Sequence, residues 1–194
     1  GANRCSMGRD TAAHFFSDYR FMARRILIVH HSASGGTRAL VSRVVAGASA
    51  TAGVEVRTRS AEVAGRDDLL AADALVFATP ENFGYMAGTL KAFFDRCFYA
   101  CMADTTAEGG GSVSLLAGRP CALIVCAGND GRGAAQSVER IVTGWRLRHV
   151  APPLIARRVG GAAGSSRGAL AAADLDAAFE LGQLLAEGLA IGAL

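Results

Sequence analysis

The sequence predicts a doubly wound α/β fold: one parallel sheet covered by helices on both faces. Three observations carry that prediction. Short apolar runs, several rich in branched residues, recur along the chain and read as strands buried on both faces. Segments with apolar residues every three or four positions lie between them and read as amphipathic helices. Strand and helix alternate five times within 194 residues, with no internal repeat and no second domain. With right-handed crossovers, this order gives a doubly wound parallel sheet.

Residues 1–21 have no clear period and read as an extended tail or an expression remnant. The alternative is an N-terminal helix packed through His14, Phe15 and Phe16. The regular domain, 22–194, then begins. Ile26-Leu27-Ile28-Val29 is the first strand. After a loop at 31–36, Thr37 opens a helix with Leu40, Val41, Val44, Val45 and Ala48 along one stripe, and Gly53 suits its stop. Val54 to Thr58 alternates, as a half-exposed second strand does, and Asp67 to Ala72 reads as a short helix. Ala74 to Ala78 is the third strand. Thr79-Pro80 is expected to end it, because proline has no backbone donor. A helix is expected over Thr89 to Met102, with Leu90, Phe93, Phe94, Cys97 and Cys101 on one side, followed by a Gly-rich turn at 104–112. Cys121 to Cys126 is the fourth strand, Gly133 to Leu147 a helix and Leu154 to Ala156 the fifth strand. A loop at 160–168 and a helix over Leu170 to Ala190 close the chain.

Composition narrows the function classes. A 51% hydrophobic, 19% charged chain is not disordered. No uncharged apolar run approaches the ~18 residues that a membrane span needs. A net charge of +3 is not the footprint of a nucleic-acid binder. Five cysteines in a chain of this size are not a disulfide scaffold, and no CxxC pair offers a structural zinc site. A reduced, cytoplasmic setting is expected, and no signal-peptide pattern is seen.

In a sheet of this kind, ligands bind outside the carboxyl ends of the strands, at the switch point. Three loops leave those ends. Ser32-Ala33-Ser34-Gly35-Gly36-Thr37-Arg38 joins small residues, hydroxyls and a helix N-terminus, which together suit a phosphate. It is neither GxGxxG nor a P-loop, which weakens the dinucleotide and NTPase readings. The same residues also read as a plain Ser/Gly turn with a Thr cap. Pro80-Glu81-Asn82-Phe83-Gly84, continuing to Tyr85-Met86, offers an aromatic ring, an amide and a thioether to a flat heteroaromatic ring. Alone it reads more simply as a surface turn with a buried Phe anchor. Ala127-Gly128-Asn129-Asp130, continuing through Gly131-Arg132-Gly133, suits a second phosphate, the edge of a ring or a tight helix start.

With these residues on the page, the chain resembles flavodoxin-like FMN proteins, in the group of NAD(P)H-dependent FMN reductases and WrbA-type quinone reductases. The resemblance runs from Arg25 to the C-terminus. Its most specific stretch is Thr79 to Arg96, with its Thr-Pro turn, Phe83-Gly84 and Lys91-Ala92-Phe93-Phe94-Asp95; Gly118-Arg119-Pro120 is similar to the family's approach to strand four. Glu81-Asn82 resembles the FMN-reductase branch and Phe83-Gly84 the WrbA branch. The third loop departs from the family's run of small residues ending in Gly-Gly.

The resemblance implies a five-stranded sheet of order 2-1-3-4-5, bound FMN, and NADH or NADPH as co-substrate. It further implies hydride transfer to flavin N5, with electrons passed on to a quinone, free flavin or a similar small electrophile. No protein nucleophile is required, and no catalytic side chain or metal ligand is assigned. His30 and His31 read as packing or loop residues. Glu81 reads either as a carboxylate that lowers the flavin potential or as a cap on the Phe83 turn. The surplus of Phe93, Phe94, Phe98 and Tyr99 on one helix predicts a homo-oligomer, most simply a dimer. The competing readings are a flavodoxin-type electron carrier and a fold that has lost FMN. A pI near 8.8 argues against a carrier steered by strong acidic charge.

Overall fold

The computed structural model describes residues 23–104, 111–160 and 168–194. The tail expected at 1–21 and most of the two Gly-rich loops lie outside the described residues. Five principal strands build the sheet: β1 (Arg24–His30), β2 (Val54–Ser60), β3 (Ala74–Asn82), β7 (Pro120–Ala127) and β9 (Leu154–Val159). Their order across the sheet is β9-β7-β3-β1-β2, all parallel, which is the expected 2-1-3-4-5 arrangement. Short additions join it. β4 (Tyr85–Met86) turns back on β3, β8 (Arg148–His149) pairs with the start of β7, and β10 (Ala169–Leu170) pairs antiparallel with β9. β5 (Met102–Asp104) and β6 (Ser112–Ser114) form a separate hairpin.

Strand alternation explains the two layers. Leu27, Val29, Leu75, Phe77, Leu123 and Val125 point to one face and pack against helices α2 (Arg66–Leu70), α3 (Gly88–Cys97) and α4 (Arg132–Gly144). Ile26, Ile28, Val76, Ala122 and Ile124 point to the other, under α1 (Gly36–Ala48) and α5 (Ala172–Ala190). Each fully buried large side chain contributes roughly 1.5–3 kcal/mol. α1 and α5 approach closely through Gly47 and Gly182. A Cβ on Gly47 would overlap the Phe179 carbonyl, and one on Gly182 would overlap that of Val44.

The structure corrects several boundaries. β3 does not stop at Thr79-Pro80. Its register against β7 continues through Thr79↔Val125 and Pro80↔Cys126. The reason is directional. The Ala78 carbonyl faces β1 and accepts the His31 N–H at 3.1 Å. Pro80, two residues on, faces the same side, where β1 has already ended, so its missing donor breaks no ladder bond.

The third long helix is also shorter than expected. α3 ends at Cys97, and a 3-10 turn at Tyr99–Cys101 leads into β5. Phe98 stacks on Trp145 (centroids 5.7 Å apart, planes 14° apart), and its carbonyl accepts the indole N–H at 3.1 Å. Phe93 and Phe94 are buried against Phe77 and Trp145, so they form core and present no surface to a second subunit; only Tyr99 of the four is well exposed. α4 ends at Gly144 and not at Leu147, with Arg146 in the left-handed region at φ 55°. α1 ends at Ala48, and Gly53 (φ 79°) instead ends the turn that leads into β2. Pro152 and Pro153 separate β8 from β9 and break the pairing along β7.

Candidate functional site

The chain enters β2 on one side of β1 and β3 on the other, so the switch point lies between β1 and β3. All three predicted loops open at the carboxyl edge there. In the first, Gly35 takes φ 89° just ahead of α1, and the Arg38 N–H donates to Ser32 Oγ at 3.2 Å. Among the described residues, no protein acceptor takes the backbone N–H groups of Ser34, Gly35, Gly36 or Thr37. Thr37 Oγ1 is buried and has no hydrogen-bond partner. A Cβ on Gly36 would overlap the Arg158 guanidinium and lie 2.6 Å from Cys126 Sγ. Free donors, a buried orphan hydroxyl and an obligatory glycine at a helix N-terminus fit an anion such as a phosphate.

The second loop is the tip of a hairpin. Glu81 pairs with Met86 and Asn82 with Tyr85, leaving Phe83 and Gly84 as a two-residue turn. Both have positive φ (53° and 72°), as a type I′ turn requires. Phe83 therefore carries a backbone conformation that Asn or Gly adopts more readily, and its ring is fully exposed. Buried Thr79 fastens the hairpin base: its Oγ1 accepts the Ala87 N–H at 2.9 Å.

The third loop is bound to the second by one carboxylate. Glu81 accepts the N–H of Asn129 (2.8 Å) on one oxygen and that of Gly131 (3.2 Å) on the other. Asp130 accepts the Arg132 N–H at 3.0 Å, closing a local turn around Gly131 (φ 71°) where α4 begins. The Gly84 carbonyl lies where a Cβ of Gly133 would be, so the hairpin tip rests on the start of α4. Between the two loops is an open cleft of about 480 Å³ lined by Glu81, Asn82, Phe83, Gly84, Gly128 and Asn129. Pro80 and buried Ala127 lie beneath it as strand residues.

The structure thus brings loops two and three into one cleft, and sets loop one against Cys126 on neighbouring β7. The Glu81 carboxylate is committed to the Asn129 and Gly131 N–H groups and not to the Phe83 turn, so it ties two loops together. His30 is half-buried with an unpartnered Nδ1, and burial, His31 and Arg38 lower its pKa. His31 Nδ1 is 4.0 Å from Glu62 Oε1. Lys91 pairs with Asp95 one turn further along α3.

Sequence reasoning missed Arg158, which donates to Ser34 Oγ at 3.1 Å, although its place at the end of the fifth strand was a usable signal. Arg119, read there only as part of the approach to strand four, donates from Nη1 to the carbonyls of Leu69 and Ala72, both at 2.6 Å, and staples the end of α2. Among the described residues, no group of three or more His, Cys, Asp and Glu is placed to hold a metal. Among them, too, no helix is long and apolar enough to cross a membrane.

A 2-1-3-4-5 sheet with uncommitted loop N–H groups at its switch point and an open cleft at the same edge has the architecture of a flavodoxin-like protein. Residues 57–160, more than half of the chain, match the family model of NADPH-dependent FMN reductases, and the chain belongs to that family. That stretch contains the second and third loops and not the first. The chain is 28% identical to quinone-oxidoreductase QR2 of Triphysaria versicolor over 142 residues, 63% of this chain and 64% of that protein. It is 32% identical to a flavodoxin of Aquifex aeolicus (strain VF5) over 71 residues, 37% of this chain and 38% of that one. The aligned region is therefore less than two thirds of the length of either curated relative.

The fold is shared with many solved structures, among them two flavodoxin-type proteins. A flavodoxin from the domain Archaea superposes with a TM-score of 0.63 at 17% identity, covering 86% of this chain and 99% of that one. A WrbA-like flavodoxin from Agrobacterium tumefaciens gives 0.62 at 16%, covering 84% and 96%.

Proposed function

We propose that this protein is an FMN-dependent oxidoreductase. It takes reducing equivalents from NADH or NADPH and delivers them to a quinone, free flavin or a similar small electrophile. The observation that carries the proposal is the pairing of an anion cradle with an open cleft at one sheet edge. Family membership and the QR2 relative support the same reading. FMN, when bound, supplies the hydride and electron chemistry.

The chain's own residues bind and orient. The N–H groups of Ser34, Gly35, Gly36 and Thr37, with the hydroxyls of Ser32, Ser34 and Thr37, hold the phosphate, and Arg38 adds charge at the helix start. Pro80, Glu81, Asn82, Phe83 and Gly84 form one wall of the ring site. Ala127, Gly128, Asn129 and Asp130 form the other. Glu81 fixes the distance between the walls, and the open cleft leaves room for donor and acceptor to visit in turn. A homodimer stays within the proposal, to be read by light scattering against the 19.9 kDa chain mass.

The test is an absorption spectrum after incubation with FMN and desalting, followed by addition of each nicotinamide and then a quinone. Retained flavin that NADH or NADPH bleaches, and a quinone restores, supports the enzyme. Retained flavin that neither nicotinamide reduces supports an electron carrier instead, the reading favoured by the match to the Aquifex aeolicus flavodoxin. No retained flavin at high FMN overturns both.

A further inference from the structure

Arg158 approaches the first loop from β9, at the opposite end of the five principal strands from β2. It lies in β9, 124 residues from Ser34, yet its Nη2 is 3.1 Å from Ser34 Oγ and 3.4 Å from the Ser34 carbonyl. Its Nη1 donates to the Gly168 carbonyl at 3.2 Å, which holds the side chain from behind. The guanidinium reaches the space that a Cβ on Gly36 would take, so it lies directly against the backbone of the loop.

A second guanidinium is close by. Arg38 Nη2 is 3.7 Å from where a Gly35 Cβ would be, and the first turn of α1 holds no acidic residue. The N-terminus of a helix carries about half a positive charge, which disfavours nearby cations. Two guanidinium groups at that end add to the positive field of the helix terminus, and an anion seated there meets both as well as the helix end. Buried, unpartnered Thr37 Oγ1 and the uncommitted loop N–H groups mark where that anion sits.

We infer that Arg158 reads charge at this site: it makes loop one a seat for a phosphate dianion and separates phosphorylated from unphosphorylated flavin. A loop built only from amides and hydroxyls binds anions through dipoles. A guanidinium adds a full charge and a planar fork matched to two phosphate oxygens. The inference rests on loop one being the phosphate seat of the proposed flavin site.

The experiment compares the wild type with Arg158→Met and Arg158→Lys, using three probes: FMN, riboflavin and inorganic phosphate. Flavin affinity is read by fluorescence titration, and phosphate binding by the rise in Tm of the flavin-free protein. Arg158→Met should weaken FMN binding by about tenfold to a hundredfold, with riboflavin changed by less than about twofold. It should also abolish the phosphate-dependent rise in Tm. Arg158→Lys, which keeps the charge and loses the fork, should fall between. An Arg158→Met protein that binds FMN and phosphate as the wild type does overturns the inference and leaves the flavin site standing. Equal losses of FMN and riboflavin in both variants also overturn it, because they report a scaffold role. A wild type that phosphate stabilises but that takes neither flavin supports the anion site and overturns the oxidoreductase proposal.

Discussion

The carboxylate of Glu81 accepts the backbone N–H of Asn129 at 2.8 Å, joining the end of β3 to the loop that leaves β7. Its other oxygen takes the Gly131 N–H at 3.2 Å, so one side chain sets the position of both walls of the cleft. Hydrogen bonds to a charged group are worth more than neutral ones, and here they hold backbone that would otherwise move independently.

Glu81→Ala removes both acceptors. It should lower stability by about 1–3 kcal/mol and weaken FMN binding by more than about tenfold, because the ring site loses its spacing. Glu81→Gln keeps one acceptor oxygen and should lie between. Urea unfolding and FMN titration on the same samples check this; unchanged FMN affinity in Glu81→Ala would show that the two walls are held by other contacts.

Phe83 holds a backbone conformation that costs stability. Its φ of 53° suits Asn far better than Phe, and its exposed ring makes no core contact to offset the strain. Phe83→Asn should leave the protein as stable, or more stable by about 0.5–1 kcal/mol, while weakening flavin binding. Thermal melts of the flavin-free protein set beside FMN titrations read the two effects apart. A variant that loses stability and keeps flavin affinity would contradict the assignment of Phe83 to the site.

His30 gives stability a pH dependence of known sign. Burial, reinforced by His31 and Arg38, lowers its folded pKa below the ordinary 6.5, so the unfolded chain binds the proton more tightly. This contribution is fully present above the unfolded value. It is lost as pH falls through 6.5 and on through the lower folded value. Tm measured between about pH 5 and pH 8 should fall on the acid side in the wild type, and less steeply in His30→Gln. Parallel profiles for the two proteins would refute it.

Trp145, the chain's single tryptophan, is fully buried among Phe77, Phe94 and Phe98. Trp145→Ala should cost about 3–5 kcal/mol. Trp145→Phe keeps most of the packing but leaves the Phe98 carbonyl without the indole donor, at a cost of about 1–3 kcal/mol. Wild-type fluorescence should be blue-shifted and move to the red on unfolding, so one signal follows the whole transition.

Much of the fold was legible in the chain because its signals are local. Ile26 to Val29 and Cys121 to Cys126 are buried on both faces and announce themselves as strands. The Leu40, Val41 and Val44 stripe does the same for α1. The limits of elements were less legible where a distant partner set them. Pro80 reads as a strand end until one knows that β1 stops beside it. The end of α3 depends on Trp145, 47 residues from Phe98.

The sequence by itself determined the alternation of strand and helix, the burial of the sheet and the three loops that gather at its carboxyl edge. Each follows from periodicity, from glycine and proline placement, or from a family resemblance held in contiguous residues. Tertiary structure alone decided what those loops do to one another. Glu81 meets Asn129 across 48 residues and Arg158 meets Ser34 across 124. A carboxylate or a guanidinium carries no mark of its partner in its neighbours along the chain. Strand order places the two ends together, and distance and burial then select the bond that forms.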